Sequence, residues 1–311
     1  MEAAPLYNDV AEGPDGGVAY WLRCEDGLRI RMALWEAKEA SGTVFMFPGR
    51  TEYVEKYGRA ARDFAKRGLT TVAVDWRGQG LADRMLDNRH IGHVMRFRDY
   101  QMDVAAVVDA VRQLKLPKPW YLAAHSMGGC IGLRALIEGL EVDACAFSAP
   151  MWGVQLSPFE RPMAWTLSSL LPVFGLGGLR SPRTQNGIYV LDQPFEDNTL
   201  TNDLEMWEYM GRQAKAHPEL NLGSPSIKWL REALREMAFL STQPSPQIPC
   251  VAFLGTNERI VELGRIRQRM AKWPGGRLIE FPDAEHEVIM EEPAIRARVF
   301  DESTAVFAGA A

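Results

Sequence analysis

Histidine and cysteine are scarce: five histidines and four cysteines in 311 residues. The cysteines (Cys24, Cys130, Cys145, Cys250) are widely scattered, with no C-x-x-C pair, and three sit in apolar runs. This excludes a disulfide scaffold and predicts buried free thiols. Positive charge is in short supply too. Lys and Arg total 35 against 40 acids, a net charge of -5, so no electrostatic footprint for nucleic acid exists. Long clean apolar runs are missing. The nearest, "AWTLSSLLPVFGLGGL", is broken by Pro172 and by glycines, which argues against a membrane span. The N-terminal "MEAAPLYNDVAEGPDGG" is acidic and lacks the basic and apolar regions of a signal peptide. Repeats and low-complexity tracts are absent. A soluble, cytoplasmic globular protein is expected, and 47% hydrophobic with 24% charged residues speaks against disorder.

What is present is a repeated alternation of strand and helix patterns. Strand-like "VAYWLRC" and "LRIRMALWEA" flank Glu25-Asp26-Gly27, which has hairpin-turn chemistry. "TVFMF", "TTVAVD", "WYLAAH", "DACAFSA", "PCVAFLG" and "GRLIEF" then read as buried strands separated by helical segments. That series predicts an α/β fold with a mostly parallel sheet of about eight strands, helices on both faces and right-handed crossovers. The alternation stops between about Met151 and Gln247. That stretch holds a turn-rich segment, "SPRTQNGIYVLDQPFEDNTLTND", and amphipathic helix patterns in "LEMWEYMGRQAKAH" and "PSIKWLREALREMAFL". The predicted organisation is a core from 1–150 and 248–311, with a helical cap at 151–247 inserted before the last two strands.

"YLAAHSMGGCIGLRAL" places Ser126 at a strand-to-helix junction, in Ala124-His125-Ser126-Met127-Gly128. This is G-x-S-x-G with alanine for the first glycine. A serine hydroxyl attacks only if a base takes its proton and donors stabilise the oxyanion. The sharp turn that exposes such a serine needs small residues two before and two after it, which Ala124 and Gly128 supply. The bland alternative is an N-cap serine. The N–H of Met127 opens the helix and is one candidate oxyanion donor. The N–H of Arg50, in "FPGRTEY" directly after a core strand, is the other; alone, that stretch would read as an ordinary Pro-Gly turn. The Arg50 guanidinium is expected to face solvent or an acidic group of a substrate.

Among the histidines, His125 precedes the serine and should point away from it. His90 and His93 have i, i+3 spacing but no carboxylate or cysteine cluster, so packing roles are expected and no metal site. His217 lies in the insert. His286, in "FPDAEHEVIM", follows the last strand on the sheet edge that carries Ser126, and is the general base by position and elimination. Sites of this kind run nucleophile, acid, histidine along the chain. Glu258 in "LGTNERIVE" follows a core strand and is the candidate acid, orienting the imidazole. Asp283 and Glu285 share the short loop of His286 and are read as solvated loop charges.

Taken together these residues resemble the α/β-hydrolase superfamily, and "AHSMGG" resembles the elbow of its monoacylglycerol lipase and lysophospholipase branch. "DWRGQGLADR" is similar to that superfamily's D-x-R-G-x-G-x-S loop, with Ala82 for serine. "GRTEYVEKY" is similar to the oxyanion loop of bacterial lysophospholipase-like members, and "LTND", "HPELNLGSPSIKWL" and "FSAPM" to their cap sequences. Pro48 stands where histidine often precedes the oxyanion glycine, and Glu258 where aspartate is usual. The resemblance implies a triad of Ser126, Glu258 and His286, with Arg50 and Met127 N–H groups as oxyanion hole. It implies a serine ester hydrolase acting, without a cofactor, on a small-molecule ester with an acyl chain, such as a monoacylglycerol or lysophospholipid. Trp152, Trp165 and Phe174 are expected substrate-binding residues in the cap. "SLLPVFGLGGL" offers a transient contact for a membrane or micelle surface. The rival expectations are a short-chain carboxylesterase or acyltransferase with the same triad, and a non-catalytic ligand-binding module on the same fold.

Overall fold

Alternate side chains of the central strands leave in opposite directions and build two apolar clusters. Phe45, Phe47, Val72, Val74, Leu122 and Ala124 point to one side; Val44, Met46, Ala73, Tyr121 and Ala123 to the other. The computed structural model of the chain describes residues 1–157, 159–182 and 187–309. Its strands are β1 (Glu2–Ala4), β2 (Val18–Arg23), β3 (Arg29–Trp35), β4 (Gly42–Phe47), β5 (Leu69–Asp75), β6 (Trp120–His125), β7 (Ala144–Ser148), β8 (Cys250–Gly255) and β9 (Arg277–Phe281). Among the described residues these nine form one sheet in the order β1-β2-β3-β5-β4-β6-β7-β8-β9. Pairings from β1 through β3 to β5 are antiparallel, and all pairings from β5 to β9 are parallel. The strand beyond the expected eight is β1. It comes from the acidic N-terminal stretch, which pairs with β2 and is held by Arg31 Nη1 donating to Pro5 O at 2.8 Å.

The helices are α1 (Asn8–Ala11), α2 (Gly58–Ala65), α3 (Tyr100–Gln113), α4 (Met127–Ile137), α5 (Glu160–Leu170), α6 (Tyr189–Asp192), α7 (Leu204–Ala216), α8 (Ile227–Thr242), α9 (Leu263–Met270) and α10 (Pro293–Ala308). Apolar residues of α3, α4 and α9 cover one face of the sheet, and those of α2 and α10 the other. The strand order reverses at β4, which lies between β5 and β6. Loops leaving the carboxyl ends of β4 and β6 therefore diverge and open a crevice, where ligands of open α/β sheets bind.

The insert between β7 and β8 divides in two. Helix α8 is capped by Ser226, whose Oγ accepts from Trp229 N at 3.0 Å. Its Trp229, Ala233, Leu234, Met237 and Leu240 join the same buried cluster as α3 and α4. Parallel β7 and β8 need a crossover, and α8 supplies it. Helix α7 is capped by Asp203 and buries Met206, Trp207 and Met210 in the opposite cluster. Ahead of both in the chain, α5 and α6 carry the more exposed part of the insert. Residues 183–186 of the turn-rich segment lie outside the described residues.

Candidate active site

Ser126 occupies the turn between β6 and α4 with φ 48° and ψ -116°, a conformation non-glycine residues avoid. The turn survives because its neighbours are small. A Cβ at Gly128 would stand 2.1 Å from Phe47 O, and one at Gly129 2.6 Å from Pro150 Cβ. The Ala124 Cβ faces Gly132, where even an added Cβ would lie 3.5 Å away. Alanine is therefore accommodated where the motif usually has glycine. The Ser126 backbone N–H donates to Ser148 O at 3.0 Å, tying the turn to β7.

The structure brings Ser126, His286 and Glu258 together. Ser126 Oγ lies 2.9 Å from His286 Nε2, and His286 Nδ1 lies 2.6 Å from Glu258 Oε2. The second carboxylate oxygen, Oε1, accepts from Ile260 N at 2.6 Å and Val261 N at 3.0 Å. The longer glutamate is thus pinned at both oxygens. With Nδ1–H donating to Glu258, Nε2 is left to accept the serine proton. Burial acts to lower the His286 imidazole, but Glu258 beside it, with Glu287 and Glu52 behind, holds it above its ordinary value. Burial acts to raise Glu258, and His286 with the two backbone N–H groups outweighs that and keeps its carboxyl below the usual range.

The loop after β4 approaches the serine from the adjacent strand. Trp76 Nε1 donates to Pro48 O at 2.9 Å, Gln79 Nε2 donates to Gly49 O at 3.0 Å, and Gly49 N–H donates to Glu52. Pro48 and Gly49 are thereby fixed, with Arg50 next in the chain. Met127 is the first residue of α4, where N–H groups have no intrahelical acceptor.

Sequence reasoning missed a buried charge cluster under the site. Lys56 Nζ lies 2.7 Å from Glu52 Oε1 and 2.6 Å from Glu287, and Tyr57 OH donates to Glu52. Burial opposes ionisation of Glu52, but Lys56 beside it, with the hydrogen bond from Tyr57, holds its carboxyl down at about 2. Glu52, His125 and Glu287 could together offer metal-ligand atoms, but Lys56 already bridges the two acids. The only sequence signal was a lysine four residues after a glutamate. His125 packs its ring 4.8 Å from that of His286, and burial pushes it down to about 3, so it stays neutral. Its Nδ1 lies 3.1 Å from Ser148 O. His93 packs against Ser226, Nδ1 to Oγ 2.9 Å, the loop-packing role expected of it.

A cavity of about 690 Å³ opens over Ser126 and His286, within the usual size for a small-molecule site. Its roof comes from the insert: Ile188, Tyr189, Leu200, Met210 and Leu222 among others. Trp152, Trp165 and Phe174 do not line it, which corrects their expected place. After β7 the chain turns toward the β8 side, where Val154 bridges to Val261. Trp152 packs on Phe147 and Trp273 there, and Trp165 lies partly buried nearby. Phe174 is carried outward on the turn Leu171–Phe174 and is 75% exposed. Glu285 also departs from expectation: it is buried and pairs with Arg259 at 3.1 Å, whereas Asp283 is exposed.

Comparison with known proteins gives the family. Residues 38–293 match the Hydrolase_4 family, described as serine aminopeptidase, S33. Lysophospholipase L2 of Escherichia coli (strain K12) is 30% identical over 287 residues, covering 88% of this chain and 82% of that protein. The probable lysophospholipase L2 of Haemophilus influenzae is 28% identical over 259 residues, covering 81% and 79%. A soluble variant of monoglyceride lipase from Saccharomyces cerevisiae, solved with a substrate analog, shares the fold with a TM-score of 0.76 at 16% identity, covering 96% of this chain and 98% of that one. The chain belongs to the Hydrolase_4 family of α/β-hydrolases and is an enzyme of that family similar to lysophospholipase L2.

Proposed function

We propose that the chain cleaves the acyl ester of a lysophospholipid or monoacylglycerol through an acyl-enzyme on Ser126. The observation that carries this is the Ser126–His286–Glu258 relay, 2.9 and 2.6 Å, at the floor of the roofed cavity. Ser126 Oγ attacks the ester carbonyl as its proton passes to His286 Nε2, and the imidazolium is stabilised by Glu258. The N–H groups of Arg50 and Met127 receive the oxyanion. His286 then gives its proton to the leaving alcohol, and repeats the cycle with water to release the fatty acid. The apolar side chains of the roof, such as Ile188, Leu200, Met210 and Leu222, suit an acyl chain.

The insert at 151–247 acts in this proposal as the roof, with α8 as its anchor in the core. The surface formed by Phe159, Val173, Phe174 and Leu179, 88%, 74%, 75% and 54% exposed, is its contact with a membrane or micelle. Among the described residues no helix is long and apolar enough to cross a membrane. A cytoplasmic location is supported by the four free, buried cysteines.

Purified wild-type and Ser126→Ala protein, assayed on monoacylglycerols, lysophospholipids and short p-nitrophenyl esters, test the proposal. Turnover should fall at least about a thousandfold in the variant, with loss of fluorophosphonate labelling. Full activity in Ser126→Ala would refute the mechanism, and cleavage of the short esters alone would refute the lipid substrate.

A further inference from the structure

Among the described residues, the Arg, Lys, Asp and Glu side chains that line the cavity are Arg50, Glu52, Lys56, Arg259 and Glu287. Four of them are paired within the protein. Lys56 bridges Glu52 and Glu287, and Arg259 pairs with Asp197 at 2.7 Å and with Glu285 at 3.1 Å. Arg50 has no carboxylate partner among the described residues. Its guanidinium donates from Nη1 to Gly223 O at 2.8 Å and lies 5.5 Å over the Trp229 ring. These contacts hold it in place and supply no negative charge.

We infer that the Arg50 side chain is a subsite for the phosphate of a lysophospholipid headgroup, and sets preference for that substrate over an uncharged monoacylglycerol. This rests on the lipid-ester function proposed above. An enclosed guanidinium without an anion is costly, and a phosphate is the group whose oxygens fit its fork. The side chain hangs from the residue whose N–H is proposed to face the ester oxygen. It therefore ends one side-chain length from the scissile bond, and a lysophospholipid holds its phosphate one glycerol length from the same bond. The carbonyl of Gly223 uses one arm of the fork, leaving other N–H groups for the ligand. Burial pushes the guanidinium down to about 10, with only Tyr100 opposing, which still leaves it cationic at neutral pH. Thr51, Asn221 and Ser224 add neutral polar groups to the same cavity lining.

The test compares kcat/KM for a lysophospholipid and a monoacylglycerol of the same acyl chain, in wild type, Arg50→Gln and Arg50→Lys. The backbone N–H is kept in every variant, and the monoacylglycerol reports folding and chemistry in the same preparation. The lysophospholipid-to-monoacylglycerol ratio should fall about tenfold to a hundredfold in Arg50→Gln and recover partly in Arg50→Lys. Glycerol phosphate should inhibit wild type competitively and Arg50→Gln much more weakly. An unchanged ratio, or a wild-type enzyme that cleaves only the monoacylglycerol, would overturn the subsite. Ser126→Ala run in parallel separates the two levels: activity surviving in it refutes the serine mechanism, whereas Ser126-dependent activity with an unchanged ratio refutes the Arg50 subsite alone.

Discussion

At the residue scale, the site depends on where protons sit. His286 must be neutral to accept the serine proton, and Glu258 holds its imidazole above the ordinary value of 6.5. The acid limb of kcat/KM should thus lie above pH 6.5 in wild type, since protonation of His286 removes the base. Glu258→Gln removes the charge that raises it. The limb should move to lower pH, and the plateau should drop about a hundredfold to ten-thousandfold, because a neutral amide neither fixes the tautomer nor stabilises the imidazolium. A pH–rate profile whose limb stays in place would show that Glu258 does not control His286. Glu258 was legible from its position after a core strand. Its two backbone anchors were not, because Ile260 and Val261 reach it only through the fold of their own loop.

At the element scale, the short 3-10 turn Val54–Tyr57 joins the loop after β4 to the His286 loop through Lys56. Lys56→Met should leave Glu52 and Glu287 buried without their cation and cost about 3–5 kcal/mol at neutral pH, read by urea denaturation. The sign with pH follows from the carboxyls. Glu52 is held down from 4.5 to about 2, so its stabilising contribution is full above pH 4.5 and lost as pH falls toward 2. Glu287 is raised, so acidification relieves it. Wild type and Lys56→Met should therefore converge in stability at acid pH; a constant gap would place the loss in packing instead. This cluster escaped the sequence because its members sit on separate elements, 231 residues apart for Lys56 and Glu287.

At the scale of the whole molecule, the insert presents one face to the cavity and another to solvent. Phe174 and Val173, 75% and 74% exposed, lie on the solvent face. Replacing both by serine should weaken binding to phospholipid vesicles about tenfold and lower turnover of micellar substrate, while turnover of a monomeric short ester stays near wild type. Equal vesicle binding by variant and wild type would remove this face from the membrane contact. The aromatic richness that suggested an acyl pocket is real, but Trp152 fills the core beside Phe147 and Trp273, Trp165 lies partly buried against that cluster, and Phe174 faces out.

What the sequence determined by itself is whatever is local or periodic. Short, nearly continuous apolar strands alternating with helical patterns dictate the parallel sheet, and a serine between small residues at a strand-to-helix junction dictates the elbow. Chain order and position located the partners His286 and Glu258. The tertiary structure alone decided which apolar residues of the insert roof the cavity, that β1 extends the sheet, and which charges are cancelled. Those outcomes depend on contacts between distant segments, where a side chain's partner, and so its charge state and exposure, is set by the fold around it.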